Sequence, residues 1–405
     1  MASAFEPLER YKAALEAARG GHMELARWLL QPLEDFSPRV LQLQAVAAAA
    51  EGCDLAALQH RVRTGGWAQR WGDEGVSKDC ALGVAACSLT PDWTAKVEWL
   101  EAQGCHRSSY TTMVAAQRPD AVTRVAWMRD RGYPVDRLAV EVVAASGNMA
   151  ALQYLLAEVP PAAGSSAGAA ASGGGHLAAL QALHGAGWEV GARGAGLAAA
   201  RGGHAHVLAW LVEALGTEAV VLDAELFAAA AESGSVGLLV ELRERGCPWD
   251  ARALAGVARS GCEAALEWLV ERGCPMEASQ DAYIAACRNA DLATLCCLRR
   301  LGVPWGSFGE VSWSALPQPQ PPLLRWLRQE GCPLGRNWAL RAQRQDYDFG
   351  HPLSADEALA VMAWHSRQRR LWLQRMGLWG KALGFVLDIP YLFYSRWGPR
   401  VDAEQ

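Results

Sequence analysis

A helical hairpin that recurs along most of the chain constrains its fold more than any other feature. In the copy at 250–276, DARALAGVARSGCEAALEWLVERGCPM, Asp250 can accept hydrogen bonds from the first amides of a short Ala-rich helix. Gly261 allows a tight turn into a longer helix, which Gly273 and Pro275 end. That second helix carries an apolar stripe of Ala265, Leu266, Leu269 and Val270. One hairpin cannot bury such a stripe, so the sequence predicts a stack of hairpins.

The turn residue of this hairpin has counterparts at nearly constant spacing. They are Gly21, Gly52, Asp92, Asp120, Gly147, Gly175, Gly203, Gly234, Gly261, Ala290 and Pro319. Consecutive positions are 27–31 residues apart, except for the 40 residues between Gly52 and Asp92. The turn, the stripe and the helix stop stay in phase throughout. The sequence therefore predicts an all-α fold, an α-solenoid of about eleven helix–turn–helix repeats.

The repeats resemble those of the ankyrin family. That family's pattern A-A-x-x-G-H-x-x-x-V-x-x-L-L-x-x-G-A is similar to AAASGGGHLAALQALHGAG (169–187), AAARGGHAHVLAWLVEA (198–214) and GHMELARWLL (21–30). The family's T-P-L-H opening is absent, and the period is shorter than the usual ~33 residues. We therefore expect the hairpin that projects between ankyrin repeats to be trimmed to a turn. The resemblance covers roughly residues 10–335, and these short, Trp-rich repeats look like those expanded in green algae.

Three segments interrupt the predicted solenoid, which we place at 1–335. The long interval contains TGGWAQRWGDEGVSKD (64–79), which we expect to be an inserted surface loop. The Gly/Ala/Ser-rich segment 159–175 is either a hinge or a loop with a thin helix behind it. The proline-rich segment 314–324 cannot form the expected helix, so it breaks the pattern.

Residues 336–405 follow the repeats and are predicted to form a helical cap. Their segment 364–400 is basic and rich in aromatic residues. Two interpretations stay open: the aromatic side chains cover the end of the stack, as any repeat array requires, or the segment contacts a membrane surface or a partner. The contact residues would be Arg369, Arg370, Trp372, Arg375, Trp379 and Lys381.

Several residue types recur with the repeat, and we interpret them as structural. Tryptophan occupies one position of the second helix in six repeats and is expected in the core or packed along the groove: Trp28, Trp99, Trp127, Trp210, Trp268 and Trp326. His22, His176 and His204 follow the turn glycine and are expected to bond locally to that turn. The cysteines after the second glycine are expected to act as small buried hydrophobes.

Composition narrows the cellular setting. The chain has 405 residues, a net charge of −5 and eleven cysteines without a CxxC pair. We expect no general attraction to nucleic acid and a reducing compartment. The amino terminus lacks the apolar core of a signal peptide, and no stretch of ~20 apolar residues could span a membrane. The prediction is a cytoplasmic protein, with peripheral membrane attachment as the alternative.

The function we expect is a non-enzymatic scaffold that binds a protein partner along the concave groove of its repeats. GxSxG, P-loop, Rossmann and HExxH motifs are all missing from the sequence. We therefore expect no catalytic, cofactor-binding or metal site, no small-molecule substrate and no nucleic-acid partner. One alternative is a membrane-surface adaptor that uses the C-terminal segment. Another is implied by the algal resemblance alone: such sequences are similar to a grouping related to sphingomyelin phosphodiesterases.

Overall fold

A computed structural model describes residues 7–20, 47–64, 75–162, 164–276 and 280–305, with separate positions at 22, 25, 28, 29, 311, 323, 326, 327 and 329–332. All regular secondary structure in these ranges is helical. The predicted all-α class is therefore confirmed for them, and the arrangement is compatible with an α-solenoid. The described residues fall into two compact units: unit 1 ends at Ala115 and unit 2 begins at Ala116.

Unit 1 contains α1 (Pro7–Arg19), α2 (Leu55–Thr64), α3 (Gly75–Ala86), α4 (Trp93–Ala102) and α5 (Ser109–Ala115). Helix α3 packs against α4 and α5, and α2 packs against α4. Leu58, Leu82 and Leu100 are fully buried in its core.

Unit 2 continues the chain as consecutive helical hairpins. Its helices are α6 (Ala121–Asp130), α7 (Arg137–Ser146), α8 (Met149–Glu158), α9 (Ala167–Gly173), α10 (Leu177–Gly185), α11 (Ala192–Arg201), α12 (Ala205–Leu215), α13 (Thr217–Val220), α14 (Ala224–Glu232), α15 (Val236–Glu244), α16 (Arg252–Ser260), α17 (Glu263–Glu271), α18 (Gln280–Arg288) and α19 (Leu292–Arg300). We call α7, α9, α11, α14, α16 and α18 the first helices. The second helices are α6, α8, α10, α12, α15, α17 and α19.

The hairpins of unit 2 pack side by side. Each first helix contacts the next first helix, from α7 through α18. Among the second helices, α6, α8, α10 and α12 pack in order, as do α15, α17 and α19. Each first helix also packs against the second helix of its own hairpin. Unit 2 is thus two rows of helices with one core between them.

Leucine pairs on the second helices fill that core, which runs without a break from Ala116 to Cys332. Burying a leucine stabilises the fold by about 1.5–3 kcal/mol. Each leucine of these pairs is at most 3% exposed: Leu152 and Leu155, Leu180 and Leu183, Leu208 and Leu211, Leu239 and Leu242, Leu266 and Leu269, Leu295 and Leu298. Neighbouring hairpins therefore bury the apolar stripe that a single hairpin would leave exposed, as the sequence predicts.

The turns have the backbone conformation that their glycines predict. Gly147, Gly175, Gly203, Gly234 and Gly261 have φ between 67° and 74°, and Gly273 has φ of 77°. Only glycine adopts this conformation without a steric cost from Cβ. Ala290 occupies the same turn position with φ of 54°. Asp92 and Asp120 instead have φ of −89° and −91°, so those two turns are built differently.

Aspartates accept hydrogen bonds at the starts of the first helices. Asp136 and Asp223 accept from the amides of Leu138 and Leu226, each at 2.9 Å. Asp250 accepts from the Arg252 amide at 2.9 Å, and α16 begins at Arg252. The hydrogen bond predicted for Asp250 is confirmed, and Asp136 and Asp223 make the equivalent bond in their own repeats.

Two of the predicted interruptions are helical in part. Residues 75–79 belong to α3, so the prediction of a loop over 64–79 is wrong there. The stretch from Gly75 contains no proline and includes good helix formers such as Lys78 and Ala81. Residues 65–74 lie outside the described part. For segment 159–175, the structure agrees with the alternative of a loop followed by a thin helix. That helix is α9, in which Gly168 and Ala171 are buried. Segment 314–324 apart from Leu323, and all of 336–405, lie outside the described residues.

Candidate interaction surface

The predicted contact residues of the tail lie outside the part of the chain that the structure describes: Arg369, Arg370, Trp372, Arg375, Trp379 and Lys381. In the described part, the predicted groove corresponds to the outward side of the six first helices of unit 2, which is the candidate surface. We call it the first-helix face.

Alanine occupies three of the six positions along the middle of the first-helix face. Six residues before each turn residue stand Glu141, Ala169, Leu197, Ala228, Ala255 and Ile284. All are half-buried except Ala255, which is 3% exposed. Ala255 and Gly256 sit where neighbouring backbones approach closely, since a Cβ built on Gly256 would lie 2.7 Å from the Ala228 carbonyl oxygen. The middle of this face is shallow.

Ion pairs border the face at the starts of the first helices. Arg193 bonds both Asp223, at 2.9 Å, and Glu225. Burial works to raise the pKa of Asp223, but the Leu226 amide and Arg193 together outweigh it and hold that pKa below its usual range. The hydrogen bond from Arg252 lowers the pKa of Asp250 against the opposing effect of burial. Both carboxylates are therefore charged at neutral pH.

A second charged row borders the face at the ends of the first helices. It consists of the residues two positions before the turns that follow these six helices: Ala145, Gly173, Arg201, Glu232, Arg259 and Arg288. Glu232 accepts a hydrogen bond from Arg259 Nη1 at 2.7 Å and forms an ion pair with Arg201, whose Nε lies 3.4 Å away. Sequence reasoning missed this row, although its fixed offset from the turn could have revealed it.

The histidines after the turns bond to the preceding hairpin. His204 Nε2 lies 3.0 Å from the Gly173 carbonyl oxygen, and His206 Nε2 lies 3.1 Å from that of Gly175. The predicted local bond is therefore wrong for His204. The ring crosses to the neighbouring turn because the glycines there leave room for it: a Cβ on Gly175 would lie 2.6 Å from His204 Nδ1. These histidines join hairpins to one another.

The repeated tryptophans lie at the margin of the core. Trp99, Trp127, Trp210, Trp268 and Trp326 are half-buried, and Trp28 is 50% exposed. Trp210, Trp268 and Trp326 pack against the core from its margin, so none of the six is a fully buried core residue. Trp268 contacts Trp249 edge-on, with ring centroids 6.0 Å apart. These positions carry aromatic contacts between a second helix and the adjacent connection.

Arginine side chains complete those aromatic contacts. The Arg243 guanidinium lies 4.2 Å from the ring centroid of Trp249, and its Nη1 donates to the Cys247 carbonyl oxygen at 2.6 Å. Arg299 lies 4.9 Å from the ring of Trp305. Together they hold the trimmed connections between hairpins in place.

The cysteines that follow the second glycine of the repeat, Cys105, Cys247, Cys274 and Cys332, are buried. Cys247 and Cys274 donate to the carbonyl oxygens of Asp223 and Asp250, at 3.3 Å and 3.6 Å. Burial raises the pKa of Cys247 to about 11 and that of Cys274 to about 12. Because thiolates are the reactive form, these cysteines are not nucleophiles at neutral pH. They act as the small buried residues that the sequence predicts.

In unit 1, a buried polar cluster holds one of the aspartate turns. Lys96 is 0% exposed, and its Nζ donates to the Ala50 carbonyl oxygen at 3.0 Å and to Ser88 Oγ at 2.8 Å. Asp92 accepts from the Leu55 amide at 2.6 Å and lies 3.9 Å from Lys96. The ammonium group thus joins two segments on either side of the long interval.

The described residues contain neither a cluster of metal ligands nor a membrane-spanning helix. No three His, Cys, Asp or Glu side chains converge to hold a metal ion within the described ranges. None of the helices described above combines the length and the apolar character needed to cross a membrane.

No protein-family model and no curated protein matches the sequence.

Proposed function

We propose that this protein is a scaffold of ankyrin-like repeats that binds a protein partner along the concave side of its first helices. The observation that carries the proposal is the packing of unit 2. Each first helix contacts the next, and equivalent positions recur along one face. Such a face is stiff and extended, and its outward residues vary without disturbing the core.

The chemistry of the face supports the proposal. Half of the positions in its middle are alanine, so a partner can approach the helix backbones closely there. Its two borders carry charges that give orientation and specificity to a bound partner. Buried leucines beneath it hold its shape, so little conformational entropy is lost when a partner binds.

Two glycines offer a matched test of which face binds. Gly194 on α11 and Gly237 on α15 are both exposed, both lie near a helix start, and a Cβ at either would meet nothing within 4 Å. Tryptophan at either position therefore fits the fold. Gly194→Trp places an indole on the first-helix face, whereas Gly237→Trp places one on a second helix.

The experiment captures proteins from a native lysate on the full chain and on each variant. A defined partner retained by the original protein and by Gly237→Trp, but lost with Gly194→Trp, supports the proposal. Equal retention by both variants would contradict the proposal. The absence of any specifically retained protein would contradict it as well. Circular dichroism and thermal unfolding confirm that both variants are folded.

Membrane attachment through 364–400 is a second candidate, supported by composition. The segment has seven basic residues against Asp388 alone, together with several large aromatic side chains. Basic aromatic segments bind anionic bilayers. Deleting 336–405 should then abolish sedimentation with anionic liposomes, and unchanged sedimentation would contradict this candidate.

A further inference from the structure

The first hairpin of the chain exposes a leucine at a position that is buried in other hairpins. Leu25 lies four residues after the turn residue Gly21 and is 49% exposed. In the hairpin of α2, Asp54 caps the second helix one position later, and the equivalent Ala57 is half-buried. In the eight hairpins from α3 to α19, the same position is at most 4% exposed: Lys96, Arg124, Ala151, Ala179, Val207, Leu238, Ala265 and Thr294.

Ala13 on α1 shows the same contrast. It lies eight residues before Gly21 and is exposed. In the same eight hairpins its equivalents are at most 8% exposed: Val84, Thr112, Ala139, Ala167, Ala195, Leu226, Ala253 and Ala282.

Lys96 shows what covers such a position elsewhere in the stack. It is the equivalent of Leu25, and its Nζ donates to the carbonyl oxygen of Ala50 in the preceding hairpin, at 3.0 Å. Leu25 and Ala13 therefore lie on the side of the first hairpin where the other hairpins have a neighbour. We call this side, with Lys12, Ala13, Glu16, Leu25 and Trp28, the end face.

The end face has an apolar centre with charged residues beside it. Trp28, about one helical turn after Leu25, is 50% exposed. Lys12 and Glu16 are exposed on either side of Ala13. Arg19 pairs with Oε1 of Glu16, but the Glu16 side chain remains 68% exposed. An apolar centre with a charged rim is the usual anatomy of a protein interface.

We propose that the end face binds the end face of a second copy of this chain about a two-fold axis. Charge complementarity favours this occupant. Lys12 and Glu16 are four residues apart, so they share one side of α1. In an antiparallel pair of α1 helices, Lys12 of each copy lies opposite Glu16 of the other copy, and the small Ala13 between them lets the helices approach closely.

Two-fold symmetry also explains why the pairing stops at two copies. An interface of this kind uses the same patch on both partners and closes on itself. A face made by two helices is smaller than the ~800 Å² that each partner buries in a standard interface, so we expect a dissociation constant on the order of 10 µM. The inference concerns the end of the stack and not its groove, so it is independent of the scaffold proposal.

Two exposed leucines of unit 1 provide a matched test. Leu25 lies on the end face, whereas Leu89, which is 69% exposed, lies in the turn between α3 and α4. Sedimentation velocity of the full chain should show a reversible monomer–dimer equilibrium. Leu25→Glu should weaken the dimer at least about tenfold, because it buries an unpaired carboxylate, and Leu89→Glu should leave it unchanged. A chain that stays monomeric at ten times the expected dissociation constant would overturn the inference, as it would if its own C-terminal segment covered the end face. Equal association of the two variants would overturn it too.

Charge reversal tests the geometry of the pairing. Lys12→Glu alone should weaken the dimer several-fold, because like charges then face each other. Adding Glu16→Lys to that variant should restore the dimer, because each new lysine again faces a glutamate of the other copy. Failure of the double variant to recover would contradict the antiparallel arrangement. Circular dichroism confirms that each variant is folded.

Discussion

At the scale of single residues, the turn glycines differ in what surrounds them. Gly175 and Gly246 have nearly the same backbone, with φ of 74° and 76°. A Cβ on Gly246 would meet nothing within 4 Å, but one on Gly175 would collide with the His204 ring. That ring cannot move aside without losing its bond to the Gly173 carbonyl. Gly175 therefore serves the turn and the contact between hairpins at once.

This difference predicts unequal costs for one substitution. Gly246→Ala should lower the free energy of unfolding by about 1 kcal/mol, the cost of a left-handed alanine. Gly175→Ala should lower it by about 3 kcal/mol, since the collision adds to that cost. Urea unfolding measures both. In a His204→Ala background, the extra penalty at Gly175 should disappear. If it persists, the ring is not its cause.

Ala290 offers the reverse experiment. It has φ of 54° at the position where five other turns have a glycine of positive φ. Ala290→Gly should raise the free energy of unfolding by about 0.5–1 kcal/mol, because the release of strain exceeds the added entropy of the unfolded chain. Thermal unfolding measures the change. A lower melting temperature would show that the Ala290 methyl group contributes packing that outweighs the strain.

At the scale of elements, the cluster around Lys96 fixes one turn of unit 1. Lys96→Met removes the donor to the Ala50 carbonyl and to Ser88 and leaves Asp92 without its cation. Leaving buried polar groups unpaired should cost about 3 kcal/mol. Lys12→Met, at an exposed position on α1, is the control and should cost almost nothing. Similar unfolding midpoints for the two variants would contradict the role of the cluster.

The aspartates at the starts of the first helices link stability to pH. The folded pKa of Asp223 lies below its usual range, so its stabilising contribution exists above the unfolded pKa of about 3.9 and is lost as pH falls through the folded value. Asp223→Asn should be less stable than the original protein by under ~1 kcal/mol at neutral pH, as expected for a partly exposed pair. The difference should vanish in acid. A difference independent of pH would instead indicate a purely steric effect.

Sequence periodicity could predict the helices, the turn glycines and the leucine core because these depend on spacing along the chain. Ala290 shows the strength of that signal, since its backbone follows the glycine turns although its side chain disfavours them. Periodicity could not predict the contacts between hairpins. His204, Lys96 and Glu232 each bond to groups about thirty or more residues away, and no local pattern identifies those partners. The sequence left open whether the repeated tryptophans lie in the core or along the groove, because a recurring apolar residue can also lie at the margin of a core.

At the scale of the whole molecule, we expect the two rows of helices in unit 2 to have different roles. The second helices supply leucines and aromatic contacts that hold the hairpins together. The first helices supply alanines to the same core, and they also present the face with charged borders. One row stabilises the stack, and the other row is available to a partner.

Hydrogen exchange of the full chain, free and bound to the captured partner, tests this division most directly. We expect amide exchange to be slower in the bound than in the free protein in first helices such as α11 and α16. It should change little in the second helices α12 and α17. Protection confined to the second helices, or found only outside unit 2, would contradict the claim that the first-helix face is the binding surface.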